Sequence, residues 1–387
     1  MIYLDNNSTT RPCESAIEAL DASARRWWAN PSSAHRAGQD ARAQVELARA
    51  HVAALVGVKP RGITFTASAT EAINLAVRGV LDATDERAVV TTATEHGAVR
   101  ELLAHLAPRR GLTVRVAPIG PTGVLDPDGL EALLLPGTAL CIAHWANNET
   151  GVVQPVAEVA RRCRARGVPF LCDATQWVGK MPADLSAFDL ACFSPHKFHG
   201  VKGVGALVTR PGFGLVPQMP GAQELGRRGG TESVPAILAA GAAALAAAEF
   251  LRDPDARDRL ARQRDRFERA VLDGCAACGV RARVNGSTDP AHRLWNTTNL
   301  AFHALEAEAL LLMLSERGVC ASAGAACASG SLEPSPVLLA MGIEPADAHG
   351  SLRFSLSRDT TTEEVDRAAG IVLASVRLLA RATGTRA

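Results

Sequence analysis

The sequence predicts an α/β fold, a mostly parallel sheet flanked by helices, followed by a smaller α+β unit. Strand-like runs recur at residues 63–67, 88–92, 112–119, 138–146, 168–173, 190–194 and 204–209. Helical patterns at 69–79, 97–107, 127–135 and 155–166 lie between most of them. Such alternation implies a parallel sheet with helices on both faces. After Thr231 the texture changes to long helices and then to mixed strands and helices. At 387 residues with 47% hydrophobic content the chain can build a large core and a smaller one.

Taken in order, residues 1–12 read as a short arm with turn-forming Asp5-Asn6-Asn7. In the second helical pattern that follows, Val45, Ala48, Val52 and Leu55 recur at three- and four-residue steps and give one apolar face. Thr66 to Ala72 is small and polar between a strand and a helix. Its backbone N–H groups, with Ala69 and the Thr70 hydroxyl, suit an anion such as phosphate. The same pattern also fits an ordinary helix cap. His96 follows the strand at 88–92, where a ring could stack on a flat ligand and move protons. Asn147-Asn148 follows another strand end and reads either as a turn or, for Asn148, as a ligand donor at the sheet edge.

The stretch from Leu171 to Gly205 organises the rest. Asp173 ends one apolar run. Lys197 follows another, Leu190 to Phe193, with Ser194 and His196 beside it. Ligands of open α/β sheets bind at strand ends. The chain has 41 basic residues, yet its lysines are only Lys59, Lys180, Lys197 and Lys202. An amine at one strand end and a carboxylate at a neighbouring one suit pyridoxal 5′-phosphate (PLP). The lysine forms a Schiff base, and the carboxylate keeps the pyridine nitrogen protonated. Alone, Asp173 reads as a helix cap and Lys197 as a loop lysine. Together with Gln176, Ser194 and His196 they point to the cofactor.

Further along, the apolar run Val234 to Ala248 contains Pro235 and falls short of the ~20 residues that cross a bilayer, so it reads as a buried helix. A charged helix is expected at 254–273. Cys275-x-x-Cys278 has no second pair and no nearby histidine, and is read as chance. Ala321 to Ser335 holds almost no bulky side chain before Leu332 and one thiol, Cys327. Its setting of Ala, Ser and Gly favours a reactive cysteine over a packed one. Ser351 to Ser357 alternates, with Leu352, Phe354 and Leu356 on one side and Arg353 and Ser355 on the other. The planar guanidinium of Arg353 suits a carboxylate. Gly212-Phe213-Gly214 has Pro217 where a dinucleotide motif needs its third glycine, and it is rejected as one.

A net charge of +1 implies no general attraction to nucleic acid or to an anionic membrane. Asp5 and Arg11 interrupt the N-terminus before any apolar run, so no secretory leader is expected. Nine scattered cysteines fit free thiols in a reducing cytoplasm.

The chain resembles the cysteine desulfurases of the NifS/IscS type, in the class V aminotransferase group of fold-type I PLP-dependent transferases. The match is carried by Tyr3 to Asn7, Ala29 to Ser33, Trp145 to Gly151, Asp173 to Gln176, His196-Lys197, Arg227 to Glu232, Cys327 to Ser335 and Ser351 to Ser357. The resemblance implies that Lys197 carries the cofactor, Asp173 pairs with its ring nitrogen, and Gln176 and Asn148 bond the O3′ side. It implies that His96 stacks on the ring. Ala69, Thr70, Ser194 and His196 hold the phosphate, helped by Thr231 from the partner subunit of a homodimer. Arg353, with Asn148, takes the substrate carboxylate, and Cys327 is the nucleophile. No metal is expected.

The expected reaction removes sulfur from L-cysteine, gives L-alanine and leaves a persulfide on Cys327. An iron–sulfur scaffold or another sulfur-acceptor protein would receive it. Selenocysteine lysis and transamination are the rival reactions, and transamination has no use for a loop thiol. The family's usual glycine before His196 is Pro195 here, and its usual proline after Gly200 is Val201. The expected division is an arm at 1–15 that joins the small domain, a large cofactor-binding domain at 16–250 and a small domain at 251–387 carrying the cysteine loop.

Overall fold

The computed structural model describes residues 1–323 and 333–384. It opens with strand β1 (Ile2–Tyr3), helices α1 (Glu14–Arg26) and α2 (Arg36–Leu55), β2 (Ile63–Thr66), α3 (Ala69–Leu81), β3 (Ala88–Thr92), α4 (Gly97–Arg110) and β4 (Thr113–Ala117). Then come α5 (Pro127–Glu131), β5 (Thr138–His144), α6 (Val156–Ala165), β6 (Phe170–Asp173), β7 (Leu190–Phe193) and β8 (Gly205–Thr209). The rest comprises α7 (Val234–Arg252), α8 (Pro254–Ala277), β9 (Ala282–Val284), β10 (Thr297–Phe302), α9 (Ala307–Glu316), β11 (Val319–Cys320), α10 (Pro336–Ala340), α11 (Pro345–His349), β12 (Ser351–Ser355) and α12 (Thr362–Thr383).

The main sheet has the order β2-β8-β7-β6-β5-β3-β4. Pairing is parallel from β7 through to β4, and β8 runs antiparallel to both of its neighbours. The reversal at β8 has a simple cause. A parallel crossover needs a dozen or more residues, usually with a helix. Only residues 194–204 join β7 to β8, and their one regular piece is a 3-10 turn, Pro195–Lys197. Strands β5, β6 and β7 are buried throughout. They therefore read as continuous apolar runs without alternation, as parallel strands covered on both faces do.

Helix α7 packs against α1 and α2 on one side of this sheet. Its alanines and Gly241 allow close approach. A Cβ at Gly241 would lie 2.7 Å from the Cβ of Ala48 on α2. The apolar run is thus a core helix, as its length and Pro235 suggest.

A second apolar core gathers Ile2 and Leu4 with Phe267, Val271, Leu300, Phe302, Leu352, Phe354 and Val372. It surrounds the antiparallel sheet β12-β10-β9. β1 pairs with β11, Ile2 opposite Val319. The first residues therefore pack with the last hundred. Helix α12 starts on a capping box, with the Thr361 hydroxyl accepting from Glu364 N and the Glu364 carboxylate accepting from Thr361 N.

Candidate active site

The C-terminal ends of the parallel strands open into a cavity of about 440 Å³. Each strand end delivers its side chain by the same logic: the apolar run stays in the sheet, and polar residues at its end or a few positions beyond reach the rim. Asp173 ends β6, and Lys197 lies on the turn after β7. His96 follows β3, and Asn148 follows β5. All line the cavity, together with Ala69, Thr70, Gln176, Ser194, His196 and Arg353.

The anion end lies at the start of α3. Ser68 caps that helix, its hydroxyl accepting from Glu71 N at 3.1 Å. Strand β8 runs directly beneath. A Cβ at Gly205 would lie 2.2 Å from the Ser68 carbonyl carbon and 2.7 Å from Ala69 N, so only glycine fits. The Ser194 hydroxyl donates to Val204 O at 2.9 Å, and Ser194 must turn from that carbonyl to serve a phosphate. His196 Nδ1 sits 3.1 Å from the Thr9 hydroxyl. Burial, then Lys197, Lys202 and Lys180, push the His196 ring down to about 4, so it is neutral at neutral pH. Pro195 occupies the first position of its 3-10 turn, where a missing N–H costs least.

Lys197 Nζ donates to Asn7 O at 2.8 Å and to Ser8 O at 2.6 Å. The arm that the sequence marks only as a turn therefore supplies the acceptors that hold the key amine. Asn7 is the hub. Its carbonyl also accepts from Gln176 Nε2, and its Oδ1 accepts from Lys180 Nζ and Asn296 Nδ2. Its Nδ2 donates to Asn148 O and Thr297 Oγ1.

Across the cavity Asp173 Oδ1 accepts from Thr175 N at 3.0 Å. His96 caps α4, its Nδ1 accepting from Ala98 N at 3.1 Å, which assigns a neutral ring's proton to Nε2. The two asparagines divide their work. The Asn147 amide builds the turn, accepting from Glu149 N and Thr150 N, while Asn148 lines the cavity.

Arg353 is 1% exposed, so its guanidinium is held in the interior and not in solvent. It donates to Asp5 Oδ1 at 2.6 Å, Ser8 Oγ at 2.7 Å and Asn148 O at 3.0 Å. Glu149 lies nearby. Burial pushes its carboxyl above the ordinary range, and its Oε2 accepts from Ser335 Oγ at 2.5 Å. Ser335 in turn caps α10.

Cys327 lies outside the described residues. Thr231 is exposed and does not line this chain's own cavity. Cys275 is pushed up to about 12 by burial and then by Cys278, the state of an inert packed thiol. Among the described residues no cluster could hold a metal ion.

The family model for aminotransferase class-V matches residues 2–368. The chain belongs to the class V aminotransferase family. It is 44% identical over 371 residues to a cysteine desulfurase of Nostoc sp. (strain PCC 7120), covering 95% of this chain and 90% of the relative. It is 42% identical to cysteine desulfurase NifS of Azotobacter vinelandii, again over 95% of this chain and 90% of the relative. Among solved structures, a NifS-like protein superposes with a TM-score of 0.89 at 34% identity, covering 98% of this chain and all of that one. SspA in complex with cysteine superposes at 0.80 and 29% identity, covering 93% of this chain and 100% of that one.

Class V aminotransferases of the cysteine desulfurase group use PLP, and this family's cofactor fits the cavity. The Gly205 cradle beneath Ser68-Ala69 gives the phosphate backbone donors at a helix N-terminus. Lys197 would supply the amine and Asp173 the carboxylate, and Gln176 and His96 line the same cavity.

Proposed function

We propose that this chain is a cysteine desulfurase acting on L-cysteine, with sulfur passed to Cys327. One thiol and one L-cysteine become L-alanine and a cysteine persulfide. The sulfur leaves Cβ for the enzyme thiol, and Cβ gains a proton. PLP, when bound, supplies the electron sink that makes bond breaking at Cα and Cβ accessible. The observation that carries the reading is the meeting of Lys197, Asp173 and Arg353 on one cavity, in a chain 44% identical to a cysteine desulfurase over 95% of its length.

On this reading Lys197 binds the cofactor covalently and moves a proton at the substrate Cα. Asp173 holds the proton on the ring nitrogen. His96 covers the ring and shares proton transfer, and Gln176 and Asn148 bond the phenolic oxygen. Thr70, Ser194, His196 and the backbone at Ala69 take the phosphate. Arg353, with Asn148, orients the substrate carboxylate. Its present bonds to Asp5 and Ser8 keep its guanidinium aimed and desolvated without a substrate. Cys327 attacks as thiolate, which a depressed pKa would favour.

The reading extends to a homodimer in which Thr231 reaches the partner's phosphate site. It also extends to an arm at 1–15 that joins the small domain, 251–387, beside a large domain, 16–250. The exposed position of Thr231 supports the first, and the packing of Ile2 and Leu4 with the second core supports the other. An iron–sulfur scaffold is the proposed acceptor.

The test is direct. Purified protein supplied with PLP and L-cysteine should form L-alanine and protein-bound persulfide in equal amounts. Cys327→Ala should keep the bound chromophore and lose the persulfide. Undiminished sulfur release from that variant would remove Cys327 from the mechanism, and keto-acid product in place of alanine would overturn the reaction.

A further inference from the structure

Two of the chain's lysines stand within this one site. Lys197 has its role, and Lys180 has none so far. Lys180 is 4% exposed and ends the turn Asp173 to Lys180 that follows β6. The turn is pressed onto the Lys197 segment. Gly179 has φ +75°, and a Cβ there would lie 2.3 Å from the Phe198 Cβ. This tight crossing sets Lys180 beneath the cavity, behind Gln176 and Asn7.

Its Nζ donates to Gln176 Oε1 at 2.5 Å and to Asn7 Oδ1 at 2.9 Å. Both acceptors are neutral amide oxygens. The charges that act on Lys180 are cationic, Lys197 and Arg353, the latter paired with Asp5. His196 and His199, from the Lys197 turn, feel it in return. Burial first, and these cations second, push its amine well below the ordinary lysine range. A buried lysine with no carboxylate partner is a costly feature, and a methionine would fill the space at less cost.

The cost has a geometric return. A primary amide can face a cavity with either end. A donor at Oε1 removes that choice for Gln176. Its oxygen is pinned to Lys180, and its nitrogen donates one hydrogen to Asn7 O at 2.9 Å. The remaining amide hydrogen is what Gln176 can offer a cavity ligand.

We infer that Lys180 is a positioning residue of the cofactor site: its Nζ locks the amides of Gln176 and Asn7 so that Gln176 presents a donor to the phenolic oxygen of PLP. This rests on the cofactor reading above. A donor at that oxygen favours its anion, so the bound chromophore gives up its proton more readily. Losing the lock makes the proton harder to remove.

The experiment is a pH titration of the visible absorbance of the holoprotein, with PLP affinity measured alongside by fluorescence titration of the apoprotein. Lys180→Met, close in shape and without a donor, should raise the absorbance midpoint by about one pH unit. It should weaken PLP binding about tenfold, as the loss of a hydrogen bond to a charged group does. Gln176→Leu should raise the midpoint in the same direction. Adding Lys180→Met to Gln176→Leu should change little further, because the lysine acts through that amide.

An unchanged midpoint in Lys180→Met, or full additivity in the pair, would overturn the inference while leaving the cofactor reading intact. A wild-type protein that stays colourless with PLP would overturn the reading itself. If Lys180→Met fails to accumulate folded, Gln176→Leu alone carries the test, and an unmoved midpoint there is fatal to the inference.

Discussion

On the proposed reading, one side chain, Arg353, has both a resting network and a substrate to bind. Without substrate it is pinned by Asp5, Ser8 and the Asn148 carbonyl. Arg353→Ala deletes a desolvated fork and leaves Asp5 short of its partner, a change that costs about 3–5 kcal/mol for a buried pair. We expect kcat/KM for L-cysteine to fall by at least a hundredfold, read as alanine formed, with PLP still bound. Arg353→Lys should recover little of this, since an ammonium cannot copy the planar geometry.

The histidines of the Lys197 turn give a residue-scale prediction about pH. His196 and His199 are held near 4 in the folded chain, against an ordinary 6.5, chiefly by burial. Between those values the unfolded chain binds protons that the native chain refuses. Their stabilising contribution is therefore full above pH 6.5 and declines as pH falls towards 4. Urea midpoints should drop on acidification through this window. His199 sits at φ 68°, a conformation asparagine tolerates. His199→Asn should therefore keep the backbone while flattening the acid decline, and an unaltered slope would show that burial of this ring is not the cause.

At the scale of elements, the strand-to-helix joints make the site. Gly205→Ala would drive a methyl into the Ser68 carbonyl, and overpacking of this kind costs about 1–3 kcal/mol. We expect a lower Tm and faster loss of PLP on dialysis, because the strain falls on the loop that presents Ala69 and Thr70. Most of this scale was legible beforehand. Asp173, Lys197, His96 and Asn148 each follow an apolar run, and a run that ends in a polar residue marks a strand rim. The antiparallel turn of β8 was less legible, because apolar runs do not record direction. The short link at 194–204 does.

At the scale of the whole molecule, the arm's place with the small domain was expected, but its hydrogen bonds into the site were not. Asn7, Thr9 and Lys180 look like turn and loop residues, yet Asn7 bonds Ser355, Thr297, Asn296 and Lys180. Periodicity reports on neighbours along one element, and these partners lie up to 348 positions apart. The scarcity of lysine was the one available signal, since a chain so poor in lysine keeps two at this site. Asn7→Ala should cost Lys180 and Asn296 one acceptor each, leaving Gln176 Oε1 and Leu356 O, and lower stability by about 1–2 kcal/mol in all. The loss should appear as a reduced urea midpoint, at least as large with PLP present as in the apoprotein, because Asn7 also holds Gln176 and Lys197.

The pairing of Ile2 with Val319 also bears on biosynthesis. During translation the first residues leave the ribosome long before β11 and β12 exist to receive them, and domains otherwise fold as they emerge. Until the last helix clears the exit tunnel, the Lys197 amine lacks its carbonyl acceptors at Asn7 and Ser8 in their final place. Nascent chains stalled before residue 319 should therefore fail to capture the vitamin, and competence should arrive abruptly once β11 and β12 have emerged.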